Sequence, residues 1–216
     1  MKYSKHLFVI VLLIPLVGFS QYTENDWKER DTWMDVTDLF ERANIQYGSH
    51  VADIGCHEGY LSVHMAHQVG KGGRVYAVDV RADRLEVLKE NLEDRALNNV
   101  EVILGDYDDP KLPKNTLDVV VIMDTYHEMT DYMAILKHAK IALKPGGRIV
   151  IIEKLKSRIK GKNRDEQTNA HSLGMRYVKE ELSATGFKLS YENDDIGNWE
   201  NDPDKVIWIL VATKPK

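Results

Sequence analysis

Apolar residues in this chain gather in short runs, and between the runs they recur every three or four positions. The runs are residues 51–54, 74–80, 100–104, 117–123, 148–153, 187–191 and 206–212, each of strand length. Between them, Leu85, Leu88, Leu92 and Ala96 keep helical spacing, as do Tyr132, Ile135, Leu136, Ala139 and Leu143. A helical stretch follows Gly59 to about residue 69, and residues 178–185 predict another helix, closed by Gly186. Lys144-Pro145-Gly146-Gly147 ends the helix before the fifth run, because proline cannot continue a helix and glycine accepts the turn. Strands that are apolar throughout have no solvent face, so helices must cover both sides of their sheet. The pattern predicts a doubly wound α/β domain with a mostly parallel sheet.

Two segments precede this domain. Lys2 and Lys5 stand before an apolar stretch over residues 7–19, and Gly18 and Ser20 fall at −3 and −1 of a cut before Gln21. This is the layout of a secretory signal peptide, and the stretch is shorter than the roughly 20 residues of a membrane-spanning helix. Residues 1–20 are expected to be removed on export to the periplasm or beyond, leaving no stable membrane anchor; a cytoplasmic chain is the alternative. Residues 21–47 are polar with scattered Trp27, Trp33, Met34, Leu39 and Phe40. They predict a helical segment, with a short helix over 35–43, that packs on the domain of residues 48–216.

Composition then narrows function. The 216 residues carry 29 Lys+Arg and 34 Asp+Glu, a formal charge of −5 that becomes −7 without Lys2 and Lys5. Such an acidic chain lacks the basic surface that neutralises phosphates, which argues against nucleic acid as a partner. The one cysteine, Cys56, excludes a disulfide framework and a Cys-cluster zinc site.

In a doubly wound sheet, ligands bind beyond the carboxyl ends of the strands. The first run ends in Asp53-Ile54-Gly55-Cys56-His57-Glu58-Gly59, where the glycines permit a tight turn and close backbone approach. Asp53 suits an amine-bearing ligand better than a pyrophosphate, and the missing G-x-G-x-x-G pattern disfavours a nicotinamide cofactor. The second run ends at Asp79, a carboxylate able to accept both hydrogen bonds of a ribose diol. The third runs into Gly105-Asp106, where a carboxylate can meet an adenine amino group. One aspartate at a strand end is usually a turn former. Three at consecutive tips point to a shared ligand.

These residues resemble the class I S-adenosylmethionine-dependent methyltransferases. Asp53, Gly55 and Gly59 match the family's first motif, with His57 at its usual middle glycine. Asp79 matches the ribose-binding acid, Gly105-Asp106 the adenine-side motif, and Leu143-Lys144-Pro145-Gly146-Gly147 the turn before the fifth strand. The resemblance implies a Rossmann-like seven-stranded sheet of order 3-2-1-4-5-7-6 with strand 7 antiparallel. It also implies S-adenosyl-L-methionine as cofactor, its methionine end held by Asp53, Gly55, Cys56, His57 and Gly59.

The fourth run ends in Asp124-Thr125-Tyr126-His127-Glu128, beside where the resemblance puts the transferable methyl group. His127 titrates near neutrality and is the candidate base; Asp124 is the candidate to hold the cofactor's ammonium or orient the acceptor. This segment, with His171 and Gly186-Phe187, resembles a bacterial subgroup acting on small molecules. A zinc-protease motif is excluded, since position 131 is Asp131, and no metal site is predicted. Residues 154–164 hold Lys154, Lys156, Arg158, Lys160, Lys162 and Arg164, a basic stretch expected to be a solvated loop or an attractor of anionic substrate or a phospholipid surface. The acceptor is expected between residues 124–128, the segment before Gln46 and residues 154–171. Because S-adenosylmethionine is made in the cytoplasm, export keeps an alternative open: a non-catalytic binding protein on a methyltransferase scaffold.

Overall fold

The computed structural model describes residues 23–216; the expected signal peptide, residues 1–20, lies outside the described residues. Seven strands form one sheet of order β3-β2-β1-β4-β5-β7-β6. They are β1 (His50–Ile54), β2 (Arg74–Asp79), β3 (Val100–Leu104), β4 (Leu117–Met123), β5 (Leu143–Lys156), β6 (Lys188–Asn193) and β7 (Lys205–Thr213). β7 runs antiparallel to both β5 and β6, and the other pairs are parallel. The expected fold and strand order are what the chain adopts.

The strands divide their side chains between two cores. Val119, Val121 and Met123 of β4 enter one, with Val150 and Ile152 of β5 and Ile207, Ile209 and Val211 of β7. Val120 and Ile122 enter the other, with Ile149, Ile151, Trp208 and Leu210. That strict alternation is why the sequence shows continuous apolar runs: both faces are buried. The first core is closed by α2 (Val36–Ala43), α3 (Tyr60–Val69) and α4 (Ala82–Asp94), and the second by α5 (Tyr132–Ala142) and α7 (Met175–Ala184). Asp35 caps α2, its carboxylate accepting the N–H of Asp38 at 2.9 Å.

Two short helices, α1 (Trp27–Arg30) and α6 (Arg164–Thr168), complete the chain. β5 begins five residues before the expected strand, because Leu143 already pairs with Leu117. Residues 24–47 are continuous with the first core, to which Trp27, Met34, Leu39, Phe40 and Ile45 all contribute. Among the described residues, no helix is long and apolar enough to cross a membrane.

Candidate active site

Strand register decides which side chains meet. Ile54 of β1 stands level with Val78 of β2 and Ile122 of β4, which in turn stand level with Ile103 of β3 and Ile151 of β5. Gly55, Asp79, Leu104, Met123 and Ile152 form the next row, and Gly105, Asp124 and Glu153 follow it. The chain winds outward in opposite directions from β1 and β4, so their ends leave a crevice. A cavity of about 370 Å³ lies there, reached by Asp53, Cys56, His57, Asp79, Asp106 and Asp124, and by the backbone of Gly55.

The loop after β1 folds back on β2. The N–H groups of Gly55 and Cys56 both donate to the Val78 carbonyl, at 2.8 and 3.0 Å. Gly55 has φ +82°, and a Cβ there would stand 2.3 Å from Thr125 Cγ2, so only glycine lets the loops after β1 and β4 come this close. His57, in the place of a glycine, takes the left-handed φ of 50° itself. Histidine is among the side chains found there more often than most. Burial above all holds its imidazole below the ordinary pKa. Gly59 does not line the cavity. It starts α3 at φ +98°, and a Cβ on it would lie 2.2 Å from Leu88 Cδ1, so its task is to let α3 and α4 pack. What the structure shows at Gly59, where a cofactor contact was expected, is a packing role.

Each acid at a strand tip has a distinct setting. Asp53 is buried and accepts the Ser62 hydroxyl at 2.7 Å; burial pushes its carboxyl up to about 6. Asp79 Oδ2 accepts the His57 N–H and Oδ1 the Arg81 N–H, both at 2.9 Å. Each oxygen keeps a further lone pair, so two loops fix the carboxylate ready for a diol. Asp106 is exposed and pairs with Lys111 at 3.0 Å. The Cys56 thiol is buried, and burial above all pushes it well above its ordinary pKa, which disfavours the thiolate. A cradle closed by glycine at Gly55, a fixed carboxylate and a buried acid for an amine fit an amino-acid nucleoside.

On the acceptor side, Asp124 sits at φ 53° and its buried carboxylate is paired with the Lys154 ammonium. Lys154 in turn lies 4.7 Å over the Trp199 ring. His127, in the single turn Tyr126–Glu128, does not line the cavity; its side chain is 1% exposed. Its Nδ1 lies 3.0 and 2.9 Å from the two oxygens of Glu153. Its Nε2 faces Glu128, 3.7 Å from Oε1, and Glu128 does reach the cavity. Burial, the largest influence, pulls the imidazole pKa down, but Glu153 by charge and hydrogen bond, with Asp124, outweighs it and the net direction is up.

Three groups here escaped sequence reasoning. Arg30 of α1 is buried at the cavity wall, its guanidinium 4.3 Å from the Tyr60 ring centroid and 4.7 Å from that of Trp199. The signal was an arginine with a tryptophan three positions to either side, Trp27 and Trp33. Glu153 was the second, and the third was the pairing of Lys154, expected only as part of a basic stretch, with Asp124. Successive residues of β5 point to opposite faces, so one meets His127 and the other Asp124. The basic stretch over 154–164 is not one patch: Lys154 is buried, Lys156 belongs to β5, and Arg164 pairs with Glu181 at 2.7 Å.

Acids at successive strand tips around a crevice at the switch in strand order define a nucleoside-binding Rossmann-like domain. The chain matches the methyltransferase-domain family over residues 45–204 and belongs to that family. It is 34% identical over 116 residues to the demethylmenaquinone methyltransferase of Geobacillus sp. (strain WCH70), covering 54% of this chain and 50% of the relative. It thus spans about half the length of the curated relatives it matches. Among solved structures, a SAM-dependent methyltransferase from Aquifex aeolicus shares the fold with a TM-score of 0.71 at 23% identity, over 83% of this chain and 89% of that one. A protein from Pyrococcus horikoshii OT3 does so with a TM-score of 0.73 at 19% identity, over 92% and 97%. Family and fold imply S-adenosylmethionine as the cofactor.

Proposed function

We propose that this chain transfers a methyl group from S-adenosylmethionine to a small-molecule acceptor. The observation that carries the reading is the convergence of Asp53, Asp79 and Asp106 on one cavity at the switch in strand order. When bound, the cofactor supplies an electrophilic methyl carbon on a sulfonium. Asp79 holds the ribose diol, Asp106 meets the adenine amino group, and the loop of residues 53–57 cradles the amino-acid end. Arg30, walled by Tyr60 and Trp199, lies beside that end and is suited to its carboxylate.

On the other side, Glu153 acts as a positioning residue. By accepting from His127 Nδ1 it fixes the ring and turns Nε2 toward Glu128 and the acceptor. Asp124, neutralised by Lys154, orients the loop between cofactor and acceptor. The relatives named demethylmenaquinone methyltransferase support a small organic acceptor. The basic and apolar N-terminal pattern supports export. Calorimetric titration with S-adenosylhomocysteine tests the core of this reading. Asp79→Ala removes a charged acceptor of two hydrogen bonds and is expected to weaken binding at least about tenfold. Unchanged affinity in a folded variant overturns the ribose assignment.

A further inference from the structure

We propose that His127, Glu128 and His171 form a binding site for one divalent transition-metal ion at the acceptor edge of the cavity. The methyltransferase reading is needed only for what the ion does there, not for whether it binds. One ligand atom from each of the three residues lies within 4.8 Å of the other two. Glu128 Oε1 stands 3.7 Å from His127 Nε2 and 3.6 Å from His171 Nδ1. Metal bonds of about 2.1 Å in a tetrahedron set ligand atoms about 3.4 Å apart. The two pairs that Glu128 makes are within a few tenths of an ångström of that spacing, and side-chain rotation of the exposed His171 brings the two imidazoles together on one ion.

Two further features belong to a metal site rather than to a chance cluster. The first is Glu153. It takes the Nδ1–H of His127 on a buried carboxylate, which leaves the lone pair on Nε2, the atom that faces Glu128. A carboxylate behind a histidine is the usual way a ligand ring is oriented and made more basic. The second is the turn that presents His171. This residue is exposed, with φ 49°, yet its backbone is pinned on its C-terminal side. Ser172 Oγ donates to the Lys154 carbonyl at 2.9 Å and accepts the Lys156 N–H at the same distance, and the Leu173 N–H donates to Lys154 at 3.0 Å. Buried Gln167 ties the preceding loop by donating to the carbonyls of Ile159, Lys160 and Lys162.

The grouping of Asp124, His127 and Glu153 is equally close, but the Lys154 ammonium already neutralises Asp124. The ion therefore belongs on the Nε2 side. Two imidazoles and one carboxylate favour Zn²⁺ or Fe²⁺ over Mg²⁺ or Ca²⁺, and three protein ligands leave a position open. Glu128 lines the cavity, so that position is available to an acceptor oxygen, whose pKa the ion lowers while the proton goes to solvent. In this arrangement His127 serves the acceptor through the ion instead of taking its proton directly. The sequence put residues 124–128 and 154–171 beside one acceptor, but the approach of the three ligand atoms depends on the turn after α6.

The test is calorimetric titration of the chelator-stripped full chain with ZnCl₂ in excess Mg²⁺, followed by absorption spectra with Co²⁺ in its place. One Zn²⁺ per chain, with visible Co²⁺ bands of a low-coordinate site, is expected. His171→Ala should weaken Zn²⁺ binding at least tenfold, and Glu153→Gln by about tenfold to a hundredfold. His138→Ala, a surface histidine elsewhere, should leave it unchanged. Failure to bind Zn²⁺ at millimolar concentration, or binding indifferent to both His171→Ala and Glu153→Gln, overturns the site. Titration of the same samples with S-adenosylhomocysteine separates the two readings. Cofactor binding without metal binding removes the ion alone, and metal binding without cofactor binding removes the methyltransferase reading alone.

Discussion

Asp53, at the inner wall of the cavity, is a carboxyl whose charge the fold opposes. Burial is the main cause, the charge of Asp79 adds to it, and the Ser62 hydroxyl and the Arg30 charge act against it, so that its pKa reaches about 6. A carboxyl raised above its unfolded value contributes stability that is complete below that value and is lost as pH rises through the folded one. The window here runs from about pH 4 to about pH 6, and the loss amounts to about 3 kcal/mol. An ammonium arriving at Asp53 reverses the preference and expels the proton. Affinity for S-adenosylhomocysteine is therefore expected to fall below pH 6, by up to about tenfold per unit. Titrations at pH 5 and pH 7, in buffers of different ionisation enthalpy, should show proton release at the lower pH. Asp53→Asn should abolish that release. An affinity that is level from pH 5 to pH 7 would mean that Asp53 does not face the amine.

At the scale of elements, the site depends on how closely α3 and α4 approach behind it. Gly59→Ala puts a methyl 2.2 Å from the end of Leu88, which is fully buried and must shift to make room. It also forces alanine to φ +98°. Overpacking and left-handed strain together are expected to cost about 2–4 kcal/mol. In a Leu88→Ala background the clash is gone and the cost of Gly59→Ala should fall to about 1–2 kcal/mol, the strain alone. Urea unfolding at unchanged m-value measures both. Equal costs in the two backgrounds would show that the clash lies elsewhere. The same scale explains what the sequence made legible. Strands buried on both faces announce themselves as runs, and their tips carry Asp53, Asp79, Asp106 and Asp124 where chemistry is expected. α1 and α6, of four and five residues, are too short to show a period. The pairs Asp124 with Lys154 and His127 with Glu153 join different strand ends. Only the register of β4 on β5 brings them together, so a local pattern carries no trace of them.

For the whole molecule, the question is whether residues 21–47 are an appendage of the methyltransferase domain or part of its core. The polar composition of the segment suggests the former. Its packing argues the latter, because Trp27, Met34, Leu39, Phe40 and Ile45 are buried in the same cluster as Val121 of β4 and Ile209 of β7. At about 1.5–3 kcal/mol for each large side chain, these five residues contribute on the order of 10 kcal/mol. That matches the entire stability of an ordinary domain, roughly 5–15 kcal/mol. Arg30 adds a functional stake, since it brings α1 to the cavity wall beside Tyr60. A chain that begins at residue 47 is therefore expected to lose its cooperative urea transition and its near-ultraviolet circular dichroism, and with them its affinity for S-adenosylhomocysteine. A chain that begins at residue 21 keeps all five of these side chains and Arg30, and should keep all three. If the shorter chain instead unfolds cooperatively near the midpoint of the longer one, the segment is a separable cover. Arg30 would then be the residue through which that cover acts on the cofactor.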